Sequence, residues 1–230
     1  MKLLQMKVRP IIDADSMIYA AAFAEDLESA KESLDSRITA VLDYFEQNHI
    51  VQSFLVCSGS KGNFRKYLTS DYKANRKQEP PKFLKELHYY CKSEWGSKYI
   101  IGAETDDLVA TLFCEDVGHH NVIVSIDKDY LQLEGWIYNY NKNTLIHNSK
   151  LNALRAFYTQ MIVGDSADNI KVCKGKGKRY AEKIFAGLET EYQFIRAVFE
   201  TYKDFYKSKA RERYILTYKL LKLRTDIKTN

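Results

Sequence analysis

Acidic side chains occur in four short groups along the chain, and each group could supply oxygen ligands to one metal site. The groups are Asp13 with Asp15, Glu104 with Asp106 and Asp107, Asp127 with Asp129, and Asp165 with Asp168. Two carboxylates about 4 Å apart repel each other by roughly 4 kcal/mol at an effective dielectric constant of about 20. Two divalent cations about 4 Å apart would offset that repulsion and could activate water against a phosphodiester. We therefore predict a site that binds Mg²⁺ or Mn²⁺ and hydrolyses phosphodiesters.

The elements around these acids determine whether they can meet. Hydrophobic patterning predicts strands at 8–13, 51–57, 99–101 and 121–126, with weaker strands at 136–140 and 143–147. It predicts helices at 16–24, 35–49, 82–94 and 104–115, and from residue 149 onward at 150–163, 178–187, 190–204 and 208–223. Alternating strands and helices indicate an α/β fold with a mostly parallel sheet between helices, followed by a helical lobe.

Three of the acidic groups directly follow predicted strands. Asp13 ends the first strand, Glu104 comes shortly after the strand at 99–101, and Asp127 follows the strand at 121–126. Open parallel sheets place their functional sites at the carboxyl ends of the strands. A single acid in such a position is often only a helix cap, but acids at three strand ends favour one shared site.

Basic residues concentrate in two segments, 61–82 and 171–183. In the first segment lysine and arginine alternate with tyrosine, which suits contact with phosphates and stacking on bases. In the second, Gly175-Lys176-Gly177 joins two predicted helices, and glycines there would let backbone N–H groups approach a phosphate. The net charge of +5 is only mildly basic, so this distribution carries more information than the total.

Composition excludes several other classes. No apolar run approaches the roughly 20 residues that a membrane span needs. The first residues lack the apolar segment of a secretory signal, so we expect a soluble, intracellular protein. The four cysteines fit no zinc-binding spacing, and we interpret them as reduced thiols. His119-His120 is interpreted as an exposed turn.

Four segments, taken in order, resemble the 5′-nuclease superfamily of flap endonucleases, 5′→3′ exonucleases and the 5′-nuclease domain of DNA polymerase I. They are Ile12-Asp13; Phe64-Arg65 through Tyr72-Lys73-Ala74-Asn75-Arg76; Glu104 to Asp107 with Ser125 to Asp129; and Gly164 to Asn169 with its glycine hairpin. The resemblance implies a PIN-like nuclease core over 1–148, with a short arch or gateway region at about 64–95. It implies a helical lobe over 149–230 with a helix–hairpin–helix at about 160–187.

The resemblance also implies roles for individual residues. Metal ligands, direct or through water, would be Asp13, Glu104, Asp106, Asp107, Asp127, Asp129, Asp165 and Asp168. Lys73 and Arg76 would act on the scissile phosphate as electrophilic clamps. Residues that bind DNA would be Arg65 as a phosphate contact, Tyr72 as a stacking platform, and Lys174, Gly175, Lys176, Gly177, Lys178 and Arg179 in the hairpin.

The implied cofactors and partners follow from the same resemblance. Two or more Mg²⁺ or Mn²⁺ ions would act in the site, and K⁺ would bind at the hairpin. The partners would be DNA with 5′ ends, nicks or flaps, and RNA:DNA hybrids, bound by a monomer. The small size is most like phage or stand-alone bacterial forms, which places the protein in the cytoplasm of a bacterial or phage-infected cell.

The chain departs from the family pattern in three places. A serine, Ser58 or the nearby Ser60, stands where an aspartate usually follows the second strand, which predicts weaker metal binding. Val172 and Lys176 alter the glycine hairpin, which puts the K⁺ site in question. The segment from Arg76 to Gly102 is short for an arch, which predicts a more open clamp on the 5′ strand.

Three other functions fit part of the pattern. Asp13 and Asp15 would suit a phosphoaspartyl phosphatase, with Asp13 as the nucleophile. A PIN-type ribonuclease shares the acidic groups but usually lacks a duplex-binding lobe. A weak or inactive DNA-binding protein is favoured by the neutral Ser58. A cleavage assay with Mg²⁺ on a 5′-flap substrate separates these from a 5′ nuclease.

Overall fold

A computed structural model describes residues 5–76 and 78–227. Within them, seven strands form one sheet in the order β4-β3-β1-β5-β6-β7, with the short β2 paired to β1. The strands are β1 (Lys7–Asp13), β2 (Ile50–Val51), β3 (Leu55–Lys61), β4 (Lys98–Ile101), β5 (His120–Val124), β6 (Gly135–Asn139) and β7 (Thr144–Asn148). All neighbouring pairs are parallel except β6 with β7. The predicted mostly parallel α/β sheet is confirmed.

Helices lie along both faces of this sheet and in a C-terminal lobe. They are α1 (Asp15–Ala21), α2 (Leu27–Asn48), α3 (Phe64–Leu68), α4 (Leu84–Glu94), α5 (Thr105–Phe113), α6 (Lys150–Val163), α7 (Lys178–Ile184), α8 (Glu191–Tyr206) and α9 (Ala210–Leu221). Single 3₁₀ turns occupy Lys128–Gln132 and Lys207–Lys209. No helix among the described residues is both long and apolar enough to cross a lipid bilayer.

Successive residues of the central strand β1 are buried on opposite faces of the sheet. Ile12 packs in a cluster with residues of α1, α2 and α4, whereas its neighbour Ile11 packs with residues of α5. Both side chains are fully buried, as a parallel sheet covered on two faces requires. A third cluster joins α6 to α9 and includes Tyr72 from the first half of the chain.

Three local predictions were wrong, and each error has a physical reason. Helix α2 begins at Leu27 rather than near residue 35, because the Asp26 side chain accepts a hydrogen bond from the Ser29 amide at 2.8 Å and caps it there. Strand β3 continues to Lys61 because β4 pairs with its last residues. Helix α3 lies within the basic segment 61–82, where no helix was predicted before residue 82, and its N-cap is Asn63.

The loop between α6 and α7 covers the segment for which the resemblance implies a helix–hairpin–helix. Gly164 ends α6 with a φ of +78°, and a Cβ there would lie 2.1 Å from the Ile170 carbonyl oxygen. Only glycine therefore fits this position. An isolated bridge between Asp165 and Ile170 then turns the chain back on itself. This turn directs Asp165 and Asp168 away from the lobe and towards the sheet.

Candidate active site

The carboxyl ends of the parallel strands open into a cleft of about 640 Å³. Its walls combine residues after β1, β4 and β5 with the loop that follows α6. Eight acids line it: Asp13, Asp15, Glu104, Asp106, Asp127, Asp129, Asp165 and Asp168. All four acidic groups predicted from the sequence therefore meet at one place, although Asp107 does not line the cleft.

Asp13 lies deepest in this cleft, at the end of the central strand. Its carboxylate accepts hydrogen bonds from the Ser125 hydroxyl and the Tyr130 hydroxyl, each at 3.1 Å. Burial, and then the negative charge of Asp15, raise the pKa of Asp13 to about 7. The protein alone therefore offsets little of the negative charge that Asp13 carries when it is ionised.

Asp106 and Asp129 show the same lack of compensation. Burial raises the pKa of Asp106 well above its usual range, and the charges of Asp13, Asp127 and Glu104 add to the shift. Burial and the charge of Asp127 raise the pKa of Asp129 to about 6. Shifts with these causes indicate carboxylates gathered without enough cations between them.

Three basic side chains supply part of the missing positive charge. The Lys73 ammonium contacts Glu104 and lies 3.7 Å from Asp168. Arg76 donates to Asp168 at 2.9 Å, and Lys128 lies 3.2 Å from Asp165. Lys73 and Arg76 both line the cleft, and their contact with the scissile phosphate stays a prediction.

Glu104 pairs with two basic side chains, Lys73 and Arg65. Burial alone would raise the pKa of Glu104, but Lys73, Tyr72 and Arg65 outweigh it and lower that pKa. The Tyr72 hydroxyl lies 2.7 Å from Glu104 and 2.8 Å from Asp168. Tyr72 is only 4% exposed, so its predicted role as a stacking platform was wrong. Its hydroxyl instead holds two carboxylates at the edge of the cleft.

Asp107 and Arg65 form a buried ion pair, and the roles predicted for both were wrong. Asp107 is fully buried, and both of its oxygens accept from the Arg65 guanidinium, at 2.6 and 2.8 Å. Arg65 also donates to the carbonyls of Leu220 and Lys222. With its donors occupied and 2% of its surface exposed, Arg65 cannot serve as a phosphate contact. Asp107 likewise has no oxygen left for a metal.

Asp15 was absent from the predicted ligands, yet it lines the cleft. Its two oxygens accept from the Gly59 amide and the Thr105 hydroxyl, each at 2.7 Å. Asp15 therefore ties the end of β3 to the start of α5. Its spacing from Asp13, two residues beyond a strand end, was the signal in the sequence. Tyr130 was also missed, although it follows Asp129 directly.

The two serines after the second long strand have different environments. The Ser58 hydroxyl is buried and shares a hydrogen bond with Ser97 at 2.8 Å. Ser60 lines the acidic cleft. The neutral group that stands in the cleft is therefore Ser60, and the first choice of Ser58 was wrong.

The hairpin residues lie outside the cleft. Lys174, Gly175, Gly177, Lys178 and Arg179 are exposed, and the Lys176 ammonium lies 4.1 Å from the centre of the Tyr180 ring. Val172 is buried beneath them. The hairpin begins six residues beyond Asp168, so it is close to the cleft along the chain. Its role in DNA binding stays a prediction.

A sheet with acids at its strand ends, joined to a helical lobe that completes the cleft, defines a 5′-nuclease architecture. Residues 9–154 match the family model of the 5′-3′ exonuclease N-terminal resolvase-like domain. The chain belongs to the 5′-3′ exonuclease family, as its sequence predicted.

Curated relatives match nearly the whole chain. A protein named flap endonuclease Xni from Shewanella woodyi is 30% identical, over 96% of this chain and 94% of the relative. A protein named 5′-3′ exonuclease from Buchnera aphidicola is 26% identical, over 97% and 89%. The predicted class, a structure-specific 5′ nuclease, is confirmed.

Solved structures share the fold at low sequence identity. A bacteriophage T5 D15 flap endonuclease variant, in complex with DNA and metal ions, gives a TM-score of 0.62 at 16% identity and covers 94% of this chain and 99% of the phage chain. The catalytic core of Rad2 with a DNA substrate gives 0.52 at 14% identity, over 99% and 81%. These likenesses extend through the helical lobe.

Proposed function

We propose that this protein hydrolyses DNA phosphodiesters at 5′ ends, nicks and flaps, with divalent cations bound in the acidic cleft. The observation that carries the proposal is the convergence of eight carboxylates on one cleft with Lys73 and Arg76 at its edge. The alternative is a catalytically weak DNA-binding protein or a PIN-type ribonuclease. A phosphoaspartyl phosphatase explains neither the acids from four segments nor the helical lobe.

The residues of the cleft fit hard divalent cations. Their donors are carboxylate oxygens, which Mg²⁺ and Mn²⁺ prefer. The raised pKa values of Asp13, Asp106 and Asp129 mark negative charge that the protein leaves uncompensated. Asp13, Asp106, Asp127 and Asp129 would hold the ions, and Glu104, Asp165 and Asp168 would complete their surroundings. Bound there, divalent cations would supply an activated water and neutralise charge on the phosphate.

The arrangement of the acids also indicates how the ions would be held. Across residues 5–76 and 78–227, no three acidic, histidine or cysteine side chains form a ready-made ligand set. The acids instead line the walls of an open cleft. This suits Mg²⁺, which usually keeps several of its waters and is bound by one or two carboxylates together with phosphate oxygens of the substrate. We therefore expect ion binding to be stronger with DNA present.

The other side chains of the site would orient the acids and the substrate. Ser125 and Tyr130 fix the direction of the Asp13 carboxylate through its Oδ2 atom. Lys73 and Arg76 now pair with Glu104 and Asp168, and both would turn to the scissile phosphate once cations occupy the cleft. In that position the two side chains would place positive charge where negative charge develops during hydrolysis.

The exposed lysines of the hairpin would hold the duplex by its phosphates. Such contacts do not depend on base sequence and weaken as salt is raised. The finer predictions rest on the family resemblance and stay predictions: Mg²⁺ or Mn²⁺ as the ions, K⁺ at the hairpin, cleavage of RNA:DNA hybrids, and action as a monomer.

Cleavage of blunt, nicked and 5′-flapped duplexes in Mg²⁺ tests the proposal. We expect cleavage near the 5′ end of the nicked and flapped substrates, and its loss in EDTA and in Asp106→Asn. Asp204→Asn is the matched control, because Asp204 is exposed on α8 and lies outside the cleft. Metal-dependent binding without cleavage would favour the inactive alternative. Cleavage of single-stranded RNA alone would favour the ribonuclease.

A further inference from the structure

The wall of the cleft next to β3 differs from the walls next to the other long parallel strands. The strands β1, β4 and β5 each lead into at least one acid of the cleft, whereas the described part of the cleft receives Ser60 and no acid from β3. The Ser58 side chain is buried and bonded to Ser97. This is also the place where the chain departs from the family pattern, with a serine instead of an aspartate. Strand β3 therefore gives its side of the cleft no negative charge of its own.

Asp15, the first residue of α1, lies against this wall. Its Oδ1 accepts from the amide of Gly59, the residue between the two serines of β3, at 2.7 Å. Its Oδ2 accepts from the Thr105 hydroxyl, also at 2.7 Å. The side chain is still 39% exposed and lines the cleft, and each carboxylate oxygen can accept a second contact. A carboxylate from α1 is thus fixed beside β3 and remains accessible from the cleft.

The two hydrogen bonds of Asp15 do not require its negative charge. The Gly59 amide can only donate, and the oxygen of an asparagine side chain would accept from it as a carboxylate does. The Thr105 hydroxyl can donate or accept, so it could accept from the amide nitrogen of that asparagine. An asparagine has nearly the same shape and could keep both bonds. The charge of Asp15 must therefore serve a purpose other than these bonds.

In the protein alone, the charge of Asp15 is unfavourable. It repels the Asp13 carboxylate and contributes to the raised pKa of Asp13. Among the described residues, one basic group lies within 4 Å of its oxygens: Nδ1 of His88, 3.9 Å from Oδ1 and without a hydrogen bond. Glu104 and Asp168, by contrast, each form a salt bridge with a lysine or an arginine. An accessible charge with so little compensation favours a cationic ligand.

We propose that Asp15 is a further cation-binding residue of the cleft, which supplies from α1 the negative charge that β3 lacks. It would hold a divalent ion on the β3 side, next to Asp13. The inference rests on the proposed function, because it assumes that divalent cations act in this cleft. It assigns Asp15 a role that differs from joining β3 to α5.

Titration with Mn²⁺ alone, followed by electron paramagnetic resonance, tests the inference without catalysis. We expect Asp15→Asn to raise the dissociation constant for Mn²⁺ about tenfold. Asp204→Asn makes the same chemical change on the exposed side of α8, outside the cleft, and should bind Mn²⁺ as wild type does. In EDTA, Asp15→Asn should melt no lower than wild type, because both hydrogen bonds are kept and a repulsion is removed.

Returning the charge from a different residue separates cation binding from a structural role. The double variant Asp15→Asn/Ser60→Asp places a carboxylate on β3 itself, at a residue that lines the cleft. We expect its dissociation constant for Mn²⁺ to lie within about threefold of the wild-type value. A defect caused by lost hydrogen bonds of Asp15 would not be recovered by a substitution on another strand.

Three results would overturn the inference, because each would leave Asp15 a purely structural residue. They are wild-type Mn²⁺ affinity in Asp15→Asn, a double variant that binds Mn²⁺ as weakly as Asp15→Asn, and a melting temperature of Asp15→Asn in EDTA well below that of wild type. If wild type binds Mn²⁺ but cleaves neither nicked nor 5′-flapped duplex, the proposed function fails. The Mn²⁺ affinities would still decide the role of Asp15.

Discussion

The acids that follow β4 are divided between two regions of the molecule. Asp106 lines the open cleft, where its neighbours are other carboxylates and its pKa is raised well above the usual range. Asp107, the next residue, is fully buried and meets the Arg65 guanidinium through both oxygens. One residue along the helix thus separates an uncompensated acid from a fully compensated one.

Functional and structural acids of this protein differ in how their negative charge is compensated. An acid that the fold itself neutralises gains nothing from an added ion, and removing one partner of such a buried pair is strongly destabilising. An acid packed against other acids is unfavourable until a cation arrives, so its charge is available for binding. The Arg65–Asp107 pair also ties the core to the C-terminal segment through Leu220 and Lys222. The two regions should therefore respond to substitution in opposite ways.

The largest effect is expected when Asp106 is changed in the cleft. Asp106→Asn should lower the cleavage rate at least about 100-fold, because it removes charge that holds the ions. Its melting temperature in EDTA should not fall, because the substitution also removes repulsion. Cleavage rates on a 5′-flap substrate and thermal melts measure the two quantities. A wild-type rate in this variant would show that the metal assignment is wrong.

Changing Asp107 should instead destabilise the fold. Asp107→Ala leaves the Arg65 guanidinium buried without its partner, so the free energy of unfolding should fall by about 3–5 kcal/mol. Urea denaturation measures this change. The double variant Arg65→Met/Asp107→Leu should recover most of the loss, since apolar residues can replace a buried pair. Normal stability with reduced metal binding in Asp107→Ala would instead return Asp107 to the ligand set.

The buried acid Asp13 should make the stability of the protein depend on pH. The pKa of Asp13 is about 7 in the folded protein and ordinarily 3.8, so the folded state keeps a proton that the unfolded chain loses between these values. The contribution of Asp13 to stability in EDTA should therefore be fully present near pH 4 and be lost as the pH rises towards 7, by at most about 4 kcal/mol. Asp13→Asn should flatten this profile, and Mg²⁺ should restore stability at pH 8. A profile that rises over this range in wild type would contradict the account.

Removing a basic side chain from the cleft should have a smaller effect, and it should change metal affinity and cleavage rate in opposite directions. Lys73→Met removes the ammonium that contacts Glu104, so Mn²⁺ should bind several-fold more tightly while cleavage slows. Arg76→Met should change Mn²⁺ affinity less, because the Arg76 side chain is 58% exposed and screened by water. Titration calorimetry measures both affinities. Weaker Mn²⁺ binding in Lys73→Met would argue against its role as an internal counter-ion.

The smallest expected effect distinguishes the two serines at the end of β3. Ser60→Asp adds a carboxylate to the cleft and should lower the Mg²⁺ concentration needed for half-maximal cleavage about two- to threefold. Ser58→Asp buries an acid beside Ser97 and should lower the melting temperature without that gain. The reverse pattern would place Ser58, and not Ser60, at the cleft.

The parts of the fold set by local patterns were predictable from the sequence. Apolar runs fixed β1 and β5, and the rule for parallel sheets brought Asp13, Glu104 and Asp127 to one edge. The cleft was thus predicted with seven of its eight acids named as ligands, and Asp15 was named only as the neighbour of Asp13.

The errors arose where long-range contacts decide a residue's role. Arg65 and Asp107 are 42 residues apart, and their pairing depends on backbone carbonyls beyond residue 219. No local sequence pattern indicates a pairing that depends on such distant residues. The role of Tyr72 was predicted wrongly for a similar reason. Its basic neighbours in the sequence suggested an exposed surface, although its ring is buried in the helical lobe. A motif gives the residue types of a site, and the contacts of the folded chain assign their roles.

Direct measurement of Mn²⁺ binding tests the central claim most closely. Electron paramagnetic resonance can count the ions bound by wild type, Asp106→Asn and Asp204→Asn, each with a 5′-phosphorylated duplex present. We predict saturable Mn²⁺ binding in wild type and Asp204→Asn, and fewer or weaker bound ions in Asp106→Asn. Equal Mn²⁺ binding by all three proteins would contradict this prediction, since the acids of the cleft would then not be the ligands.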